Sequence, residues 1–231
     1  MQMSPNAVTR RESLKDLGFV AIPNAMVAHT LCSLIQVLAV EPGRAGRRRL
    51  LGFNELIDSV CTGGPLNLLA DDLLGRATFP VRAILFDKTP ETNWHVPWHQ
   101  DLAIPVKAKI ECEGFSGWSQ KEGVWHVNPP VRILEQMVTL RLHLDDCPES
   151  NGPLRIIPRS HREGVLNANR LQFWKSSVEA VVCPARPGDV LAISPLLVHS
   201  SAVACTASHR RVLHVEYASD PLPFGLEWYR G

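Results

Sequence analysis

The sequence predicts a mainly β protein, built as a sandwich or barrel behind a helical N-terminal part. From about residue 76, short apolar or alternating runs follow one another and are separated by Pro and Gly, which is typical of strands joined by turns. These strands do not alternate with helices, which disfavours a βαβ fold. Before residue 76, apolar residues at helical spacing form one stripe: Leu31, Leu34, Ile35 and Leu38.

The sequence of the N-terminal part predicts one strand and three helices. The short apolar run at 16–23 indicates a strand that ends at a proline. Asn24 is a candidate N-cap for a helix over about 25–40. The stretch 53–74 is predicted to form two short helices, because the sequence Gly-Gly-Pro at 63–65 interrupts it.

Later runs are predicted as six strands: 81–87, 137–144, 154–157, 179–183, 189–193 and 210–218. The run 137–144 alternates, with apolar residues on one face and a polar row on the other: Thr139, Arg141, His143 and Asp145. An edge hairpin would expose this row to water, whereas a barrel with a ligand-filled interior would enclose it. The stretch 105–130 lacks clear periodicity and is predicted to be a long loop, a candidate substrate lid that carries Trp118 and Trp125.

The charge balance of the 231-residue chain argues against two classes of partner. There are 24 Lys plus Arg against 23 Asp plus Glu, without the basic excess of nucleic-acid or membrane-surface proteins. The one basic cluster, Arg44 with the arginines at 47–49, is predicted to be a solvated loop; the alternative is a patch that steers an anionic substrate. We expect a small-molecule substrate, and the sequence does not define the oligomeric state.

The distribution of apolar residues and cysteines predicts a cytoplasmic protein. No apolar run reaches the roughly 18 residues that span a bilayer, and residues 1–11 lack the apolar core of a signal peptide. The six cysteines are scattered without a Cys-x-x-Cys pair, which indicates reduced core residues rather than disulfides or zinc ligands.

The sharpest local feature is the sequence Trp-His-Gln-Asp at 98–101. Residues two apart on an extended chain point to the same side, so His99 and Asp101 can bind one metal ion from one strand end. Alone, this pattern is weak. His199, which follows a predicted strand far downstream, would complete a facial triad of two histidines and one carboxylate. Such a triad leaves three sites of a ferrous ion open for a bidentate 2-oxo acid and O2, and it favours the enclosed interpretation of the polar row.

Arg210 adds a reason to expect a 2-oxo acid. It lies shortly after His199, at the start of the last long predicted strand. Its planar guanidinium suits a buried carboxylate, such as the far end of 2-oxoglutarate, where a lysine would offer only a point charge. The three metal ligands alone would also suit a zinc hydrolase, but that interpretation gives no role to Arg210.

Four parts of the sequence form a specific combination: WHQD at 98–101, NGPLRIIPRSH at 151–161, GDVLAISPLLVHSS at 188–201, and Arg210. Together they resemble the phytanoyl-CoA dioxygenase (PhyH) family of Fe(II)/2-oxoglutarate-dependent oxygenases. The resemblance covers about residues 76–218, with a looser match of LGFVAIPNA near the N-terminus. It implies a double-stranded β-helix (jelly roll, cupin-like) core with N-terminal α-helices packed on one sheet. We expect a single domain, 1–231, with a helical part at about 1–75 and the jelly roll at about 76–218.

The resemblance also implies cofactors and residue roles. His99, Asp101 and His199 would be the catalytic ligands of Fe(II), with 2-oxoglutarate as cosubstrate and O2 as oxidant. Five residues would contact the cosubstrate: Arg210, Lys88, Ser201, Ile84 and Arg141. Arg141 stands where the family often has a Trp, so it either touches the cosubstrate or pairs with an anionic substrate. Arg159 stands where Gly is usual, which favours a different turn at that position.

The expected reaction is hydroxylation of a small-molecule metabolite, with release of succinate and CO2. Two alternatives stay open. The same cofactor chemistry could end in desaturation, cyclisation or epimerisation, because the outcome depends on where the substrate carbon lies. A non-catalytic jelly-roll protein that binds a metal or a ligand is the second alternative. The presence of Asp101 disfavours halogenation, since related halogenases carry a small residue at that ligand position.

Overall fold

The computed structural model describes residues 5–39, 43–206 and 208–230. The helices in this part are α1 Pro5–Leu17, α2 Ala28–Val37, α3 Glu55–Cys61, α4 Pro65–Leu74, α5 Val131–Leu134 and α6 Ala168–Ser177. The strands are β1 Phe19–Ile22, β2 Gly46–Arg47, β3 Phe79–Lys88, β4 Val96–His99, β5 Ile104–Val106, β6 Ser116–Lys121, β7 Val124–Asn128, β8 Met137–His143, β9 Leu154–Ile156, β10 Val181–Cys183, β11 Val190–Ile193, β12 His199–Ser201 and β13 Arg210–Ala218. Two short 3-10 turns lie at Glu149–Asn151 and Ser160–Glu163.

The strands form three sheets, and every strand pair in them is antiparallel. The largest sheet has six strands in the order β1-β11-β8-β13-β3-β2. A four-stranded sheet runs β10-β9-β12-β4, and a three-stranded sheet runs β5-β7-β6. The prediction of a mainly β fold with antiparallel sheets is confirmed, and each of the six predicted strands overlaps an observed one.

One face of the six-stranded sheet is apolar. Alternate residues of β8 and β13, such as Leu140 and Leu213, belong to one core cluster with Leu34 of α2, Ile57 of α3 and Leu73 of α4. All five side chains are essentially buried. The apolar side of each strand and the apolar stripe of each helix therefore bury one another, which is the usual way that a sheet and its covering helices exclude water.

The other face of the same sheet is polar and also buried. All seven residues of β8 are buried, so Arg141 and His143 lie inside the protein. On the neighbouring strand β13, His214 lies directly beside Arg141 and is buried as well. The polar row of this strand therefore lines an interior, as the barrel interpretation predicts, and the edge-hairpin alternative is wrong.

The prediction of an irregular loop over 105–130 is wrong. This stretch contributes most of the three-stranded sheet, and a register shift between Ser116 and Ser119 interrupts the alternation that would have marked β6 as a strand. Trp118 and Trp125 make an edge-to-face contact, with ring centroids 6.4 Å apart. Both pack against a second core cluster.

The N-terminal predictions were partly correct. The strand β1 and the two short helices α3 and α4 lie where the sequence predicted them. Asn24 is not the N-cap of α2. It has a left-handed backbone with φ of 52°, its N–H donates to Asp189 Oδ1 at 2.9 Å, and Val27 precedes the first helical residue instead. The helices α1 and α6 were not predicted, because neither carries an apolar stripe.

Arg159 keeps the backbone conformation that a glycine would favour. Its φ is 67°, in the left-handed region that side chains with a Cβ rarely occupy. The N–H of Arg159 donates to Leu17 O at 2.9 Å, and its guanidinium contacts Asp16 at 2.9 Å. These contacts hold the turn in the left-handed form, so the expectation of a different turn at this position is wrong.

No helix among the described residues is both long enough and apolar enough to cross a lipid bilayer.

Tyr217→Phe should lower the free energy of unfolding by about 1 kcal/mol. Tyr217 is fully buried, and its hydroxyl donates to the carbonyl of Cys61, the last residue of α3, at 2.9 Å. The variant leaves that carbonyl without this donor, so the melting temperature should fall by about 2–4 °C. The only other tyrosine, Tyr229, provides the control, because it is half-buried near the C-terminus and Tyr229→Phe should leave the melting temperature unchanged. An equal effect of both substitutions would contradict this role for Tyr217.

Candidate metal centre and adjoining cavity

Two histidines that are distant in sequence lie side by side in the four-stranded sheet. His99 ends β4 and His199 begins β12, and the two are direct partners in the antiparallel pairing of these strands. Their ring centroids are 4.3 Å apart. Side chains of directly opposed residues lie on the same face of a sheet, so the strand pairing itself brings the imidazoles together.

Each imidazole is oriented by a backbone carbonyl two residues earlier in the chain. Nδ1 of His99 is 2.8 Å from Pro97 O, and Nδ1 of His199 is 2.9 Å from Leu197 O. A carbonyl oxygen can only accept, so Nδ1 carries the proton in both rings. Nε2 is thereby left with a free lone pair, which is the usual arrangement of a metal-binding histidine.

Asp101 completes the group of ligand atoms. Its Oδ1 lies 3.5 Å from His99 Nε2, and its Oδ2 lies 3.6 Å from His199 Nε2. The three candidate ligand atoms all lie within 4.8 Å of one another. Ligand atoms about 2.1 Å from one ion lie about 3 Å apart at right angles, so the observed spacing fits a single ion with small adjustments. Two imidazole nitrogens and one carboxylate oxygen are a donor set that suits ferrous iron.

Gln100 fixes the backbone between the two ligands of β4. It points away from the ligand side, where its amide group donates to Gly164 O at 2.8 Å and to Leu196 O at 2.6 Å. Its oxygen accepts from Leu166 N at 2.9 Å. The N–H of Asp101 itself donates to Pro195 O at 2.9 Å. The end of β4 is therefore tied to the segment before α6 and to the loop between β11 and β12.

The charge states of Asp101 and His199 suit metal binding at neutral pH. Burial alone would raise the pKa of Asp101, but the imidazoles of His199 and His99 hold that pKa well below its ordinary value. Burial lowers the pKa of His199 to about 4, against the opposing attraction of Asp101. The carboxylate is thus ionised and this imidazole neutral, which are the forms that coordinate a cation.

A second group of side chains lies where β12 meets β3 and β13. Lys88 is fully buried, and its Nζ donates to Ser201 Oγ at 2.8 Å and to Ala202 O at 2.7 Å. Arg210 is the direct strand partner of Lys88, and its guanidinium donates to Gly152 O. Gly152 has a φ of 59°, and a Cβ there would lie 2.6 Å from the carbonyl oxygen of Ala202. The close approach of these two backbone segments therefore requires a glycine.

Two buried cations side by side make this end of the cavity attractive to an anion. Burial, together with the neighbouring Arg210, lowers the pKa of Lys88 to about 8. Nε of Arg210 is buried and has no hydrogen-bond partner among the described residues. An unpaired buried donor is costly, and a carboxylate placed here would satisfy it.

A chain of hydrogen bonds runs from the cavity along the same inner face of the large sheet. NH1 of Arg141 lies 3.0 Å from His214 Nδ1. A guanidinium can only donate, so Nδ1 accepts and the proton of the neutral ring lies on Nε2. That Nε2 donates to Glu216 Oε1 at 3.1 Å, and Arg82 donates to the same oxygen. The carboxylate of Glu216 is therefore paired with Arg82, and Arg141 contacts only a neutral imidazole.

The cavity beside the triad brings together most of the predicted site residues. It is lined by His99, Asp101, His199, Ser201, Arg141 and Arg210. Lys88 lies directly behind Ser201. Ile84 lies two residues from Phe86 on the same strand, but it lines two neighbouring cavities and not this one.

Three prominent lining residues were not among the predicted site residues: Phe86, Trp94 and His214. Phe86 and His214 contact each other edge to face, with ring centroids 5.5 Å apart. The available signal was the period of two along β3 and β13, which places Phe86 on the face of Lys88 and His214 on the face of Arg210. The centroid of the Trp94 ring lies 5.2 Å from Lys88 Nζ, and no such periodic signal marks this residue.

Solved structures share this architecture. The structure of the epimerase SnoN in complex with Fe3+, alpha ketoglutarate and nogalamycin RO superposes with a TM-score of 0.71 at 15% identity, covering 95% of this chain and 91% of SnoN. The structure of EctD from S. alaskensis with 2-oxoglutarate and 5-hydroxyectoine gives a TM-score of 0.70 at 17% identity, covering 94% of this chain and 79% of EctD. At these identities the likeness shows a common fold of the jelly-roll type.

Sequence comparison places the chain in a family. An L-proline trans-4-hydroxylase from Streptomyces griseoviridis is 24% identical over 210 residues, which cover 78% of this chain and 70% of that enzyme. The sequence pattern of the phytanoyl-CoA dioxygenase family matches residues 35–212, a span that contains the triad, Lys88 and Arg210. This chain therefore belongs to the phytanoyl-CoA dioxygenase (PhyH) family and is a 2-oxoglutarate-dependent oxygenase that uses Fe(II), 2-oxoglutarate and O2.

Proposed function

We propose that this protein hydroxylates a small-molecule metabolite in a reaction that consumes 2-oxoglutarate and O2 and releases succinate and CO2. The observation that carries the proposal is the convergence of His99, Asp101 and His199 on one point beside a cavity with a cationic end. The relative that acts as a proline hydroxylase supports hydroxylation as the outcome.

The triad residues would hold the ferrous ion. Nε2 of His99, Nε2 of His199 and one oxygen of Asp101 would bind one side of the ion and leave the other side open for the cosubstrate and O2. When bound, iron and 2-oxoglutarate supply the oxidising chemistry. The task of the protein is then to hold the ligands, orient the substrate carbon and exclude water.

Arg210, Lys88 and Ser201 would bind the distal carboxylate of 2-oxoglutarate. Ser201 and His199 are two residues apart on β12 and therefore face the same side, so the anchor and the metal ligand share one cavity. The planar guanidinium of Arg210 can offer two parallel donors, and Ser201 and Lys88 add a hydroxyl and an ammonium group. A contact of Ile84 with the cosubstrate stays a prediction, and for Arg141 both predicted partners, the cosubstrate and an anionic substrate, stay open at this point.

Three broader features belong to the same proposal. We infer a single domain over 1–231, and the family match supports it because it runs from the helical part into the sheets. The core cluster shared by α2, α3 and α4 with the six-stranded sheet supports the packing of N-terminal helices on one sheet. The six free cysteines are consistent with a cytoplasmic location. We expect a small-molecule partner and neither nucleic acid nor membrane.

Epimerisation is the second candidate outcome. The structural likeness to SnoN favours it, because SnoN is a non-heme alpha ketoglutarate dependent epimerase. A protein that binds a metal or ligand without turnover is disfavoured, because the triad and the cationic end of the cavity are both intact.

Product analysis should distinguish these outcomes. With its metabolite substrate, Fe(II), 2-oxoglutarate and O2, the protein should form a product that is heavier by one oxygen atom, measured by mass spectrometry. A product of unchanged mass would indicate epimerisation, and the loss of two hydrogens would indicate desaturation or cyclisation. Either of those results would contradict the hydroxylase proposal but leave the cofactor assignment intact.

His199→Ala should weaken Fe(II) binding by about a hundredfold or more, because it removes one of three ligand atoms. Anaerobic calorimetric titration with Fe(II) measures this affinity, and turnover of 2-oxoglutarate to succinate should be lost in the same variant. His95→Ala is the control, since His95 is exposed and lies four residues before the first ligand. Wild-type Fe(II) affinity in His199→Ala would refute the assignment of this ligand.

Arg210→Ala should raise the Kd of 2-oxoglutarate by about ten- to a hundredfold, the usual effect of losing a charged hydrogen-bonding partner. Anaerobic titration of the Fe(II)-loaded protein measures the Kd. Arg211→Ala is the matched control. Its side chain points to the other side of β13 and pairs with Asp145, so the Kd should stay within about threefold of wild type. Similar increases in both variants would argue against a direct role of Arg210.

A further inference from the structure

The charges in the cavity do not balance when iron and cosubstrate are bound. Arg141 and Arg210 line the cavity and Lys88 lies behind it, whereas the only lining carboxylate is Asp101. A ferrous ion and a 2-oxoglutarate dianion cancel each other. The protein therefore leaves an excess of positive charge on buried side chains, and such an excess is costly unless an anion compensates it.

Arg141 is one source of this excess. Its side chain is buried, with 6% of its surface exposed, and its only hydrogen bond among the described residues is to the neutral ring of His214. Nε of Arg141 is buried and unpartnered. The carboxylate of Glu216, which follows His214 in the chain of hydrogen bonds, already accepts from Arg82 and from His214. Arg141 is thus a buried cation that lines the cavity, and it forms no ion pair or hydrogen bond with a carboxylate in the described part of the chain.

The position of Arg141 separates it from the cationic end formed by Lys88 and Arg210. Arg141 is the strand partner of His214, which lies four residues after Arg210 on β13. Four residues along a strand correspond to about 13 Å between backbone positions. Arg141 and Arg210 thus reach the same cavity from different strand positions, and a cosubstrate whose distal carboxylate binds Arg210 and Lys88 would leave Arg141 for a second anion.

An arginine-rich groove leads toward the same place. Arg44 and the three arginines at 47–49 are exposed and line a groove that shares Phe86 and Trp94 with the metal cavity. The guanidinium carbon of Arg141 lies 5.7 Å from the centroid of the Phe86 ring. Among the residues that the structure describes, one carboxylate lies in the groove, that of Glu122 at 3.5 Å from Arg48, so positive charge predominates there. Such a groove raises the local concentration of anions near its inner end.

We propose that the primary substrate carries a carboxylate or phosphate group, that it enters along the arginine groove, and that Arg141 binds this group while the reacting carbon faces the triad. The inference rests on the proposed oxygenase function, because it assumes that the triad and Arg210 are occupied by Fe(II) and 2-oxoglutarate. It assigns Arg141 to the substrate and not to the cosubstrate. The chain Arg82–Glu216–His214 would hold the guanidinium in place.

Binding of matched probes tests this assignment without turnover. Benzoate, phenyl phosphate and neutral benzamide are titrated into the anaerobic protein loaded with Fe(II) and 2-oxoglutarate, and calorimetry gives each Kd. Wild type should bind at least one of the two anions about tenfold or more tightly than benzamide, as expected for a charged hydrogen-bonded pair. Arg141→Met should abolish this preference and change the Kd of 2-oxoglutarate by less than about threefold.

Two further variants keep the test decisive. Arg141→Lys retains the charge without the planar fork, so it should keep a weaker anion preference even if Arg141→Met does not fold. Arg132→Met removes an exposed arginine on α5 and should behave as wild type.

The proposal is overturned if wild type binds neither anion, or binds both no more tightly than benzamide. It is equally overturned if Arg141→Met still prefers an anion to benzamide. It is also overturned if Arg141→Met weakens 2-oxoglutarate about tenfold or more, which would assign Arg141 to the cosubstrate. Failure of wild type to bind 2-oxoglutarate at all would instead contradict the oxygenase proposal.

Discussion

The pairing of β12 with β4 determines where the metal centre forms. His199 and His99 are direct partners in this ladder, so two segments far apart in the chain present their imidazoles side by side. Backbone carbonyls of Pro97 and Leu197 orient the rings, and Asp101 follows at the strand end. If this ladder were broken, the ligands would separate even though every ligand side chain remained. The centre is therefore a property of the four-stranded sheet as much as of three residues.

The interior of the molecule carries charge that opposes folding. Three arginines lie on the inner face of the large sheet, and within the described residues only Arg82 has a carboxylate partner. Arg141 and Arg210 are held by neutral acceptors, the ring of His214 and the carbonyl of Gly152. The apolar cluster on the opposite face of the same sheet supplies the compensating stabilisation. One sheet thus supports an apolar core on one side and a buried cationic interior on the other.

The features that were predictable from sequence are those that leave a local mark. Alternation revealed the principal strands, and a His and an Asp two residues apart on an extended chain revealed two ligands. The sheet β5-β7-β6 was missed because the register shift between Ser116 and Ser119 breaks the period. The helix α6 buries none of its residues and so has no apolar stripe to detect. The cavity position of Trp94 depends on how distant segments meet, which no local pattern records.

At Gly152 two backbone segments come into close contact, and their carbonyl groups hold both cations of the cavity's cationic end, Lys88 and Arg210. The carbonyl of Gly152 accepts a hydrogen bond from Arg210, and the carbonyl of Ala202 accepts one from Lys88. A Cβ at position 152 would lie only 2.6 Å from that carbonyl oxygen of Ala202. Any larger residue would push the two segments apart and displace both acceptors together. The spacing between the guanidinium and the ammonium is thus set by main-chain contact. Replacing Arg210 or Lys88 removes one cation, whereas replacing this glycine would change the positions of both cations together.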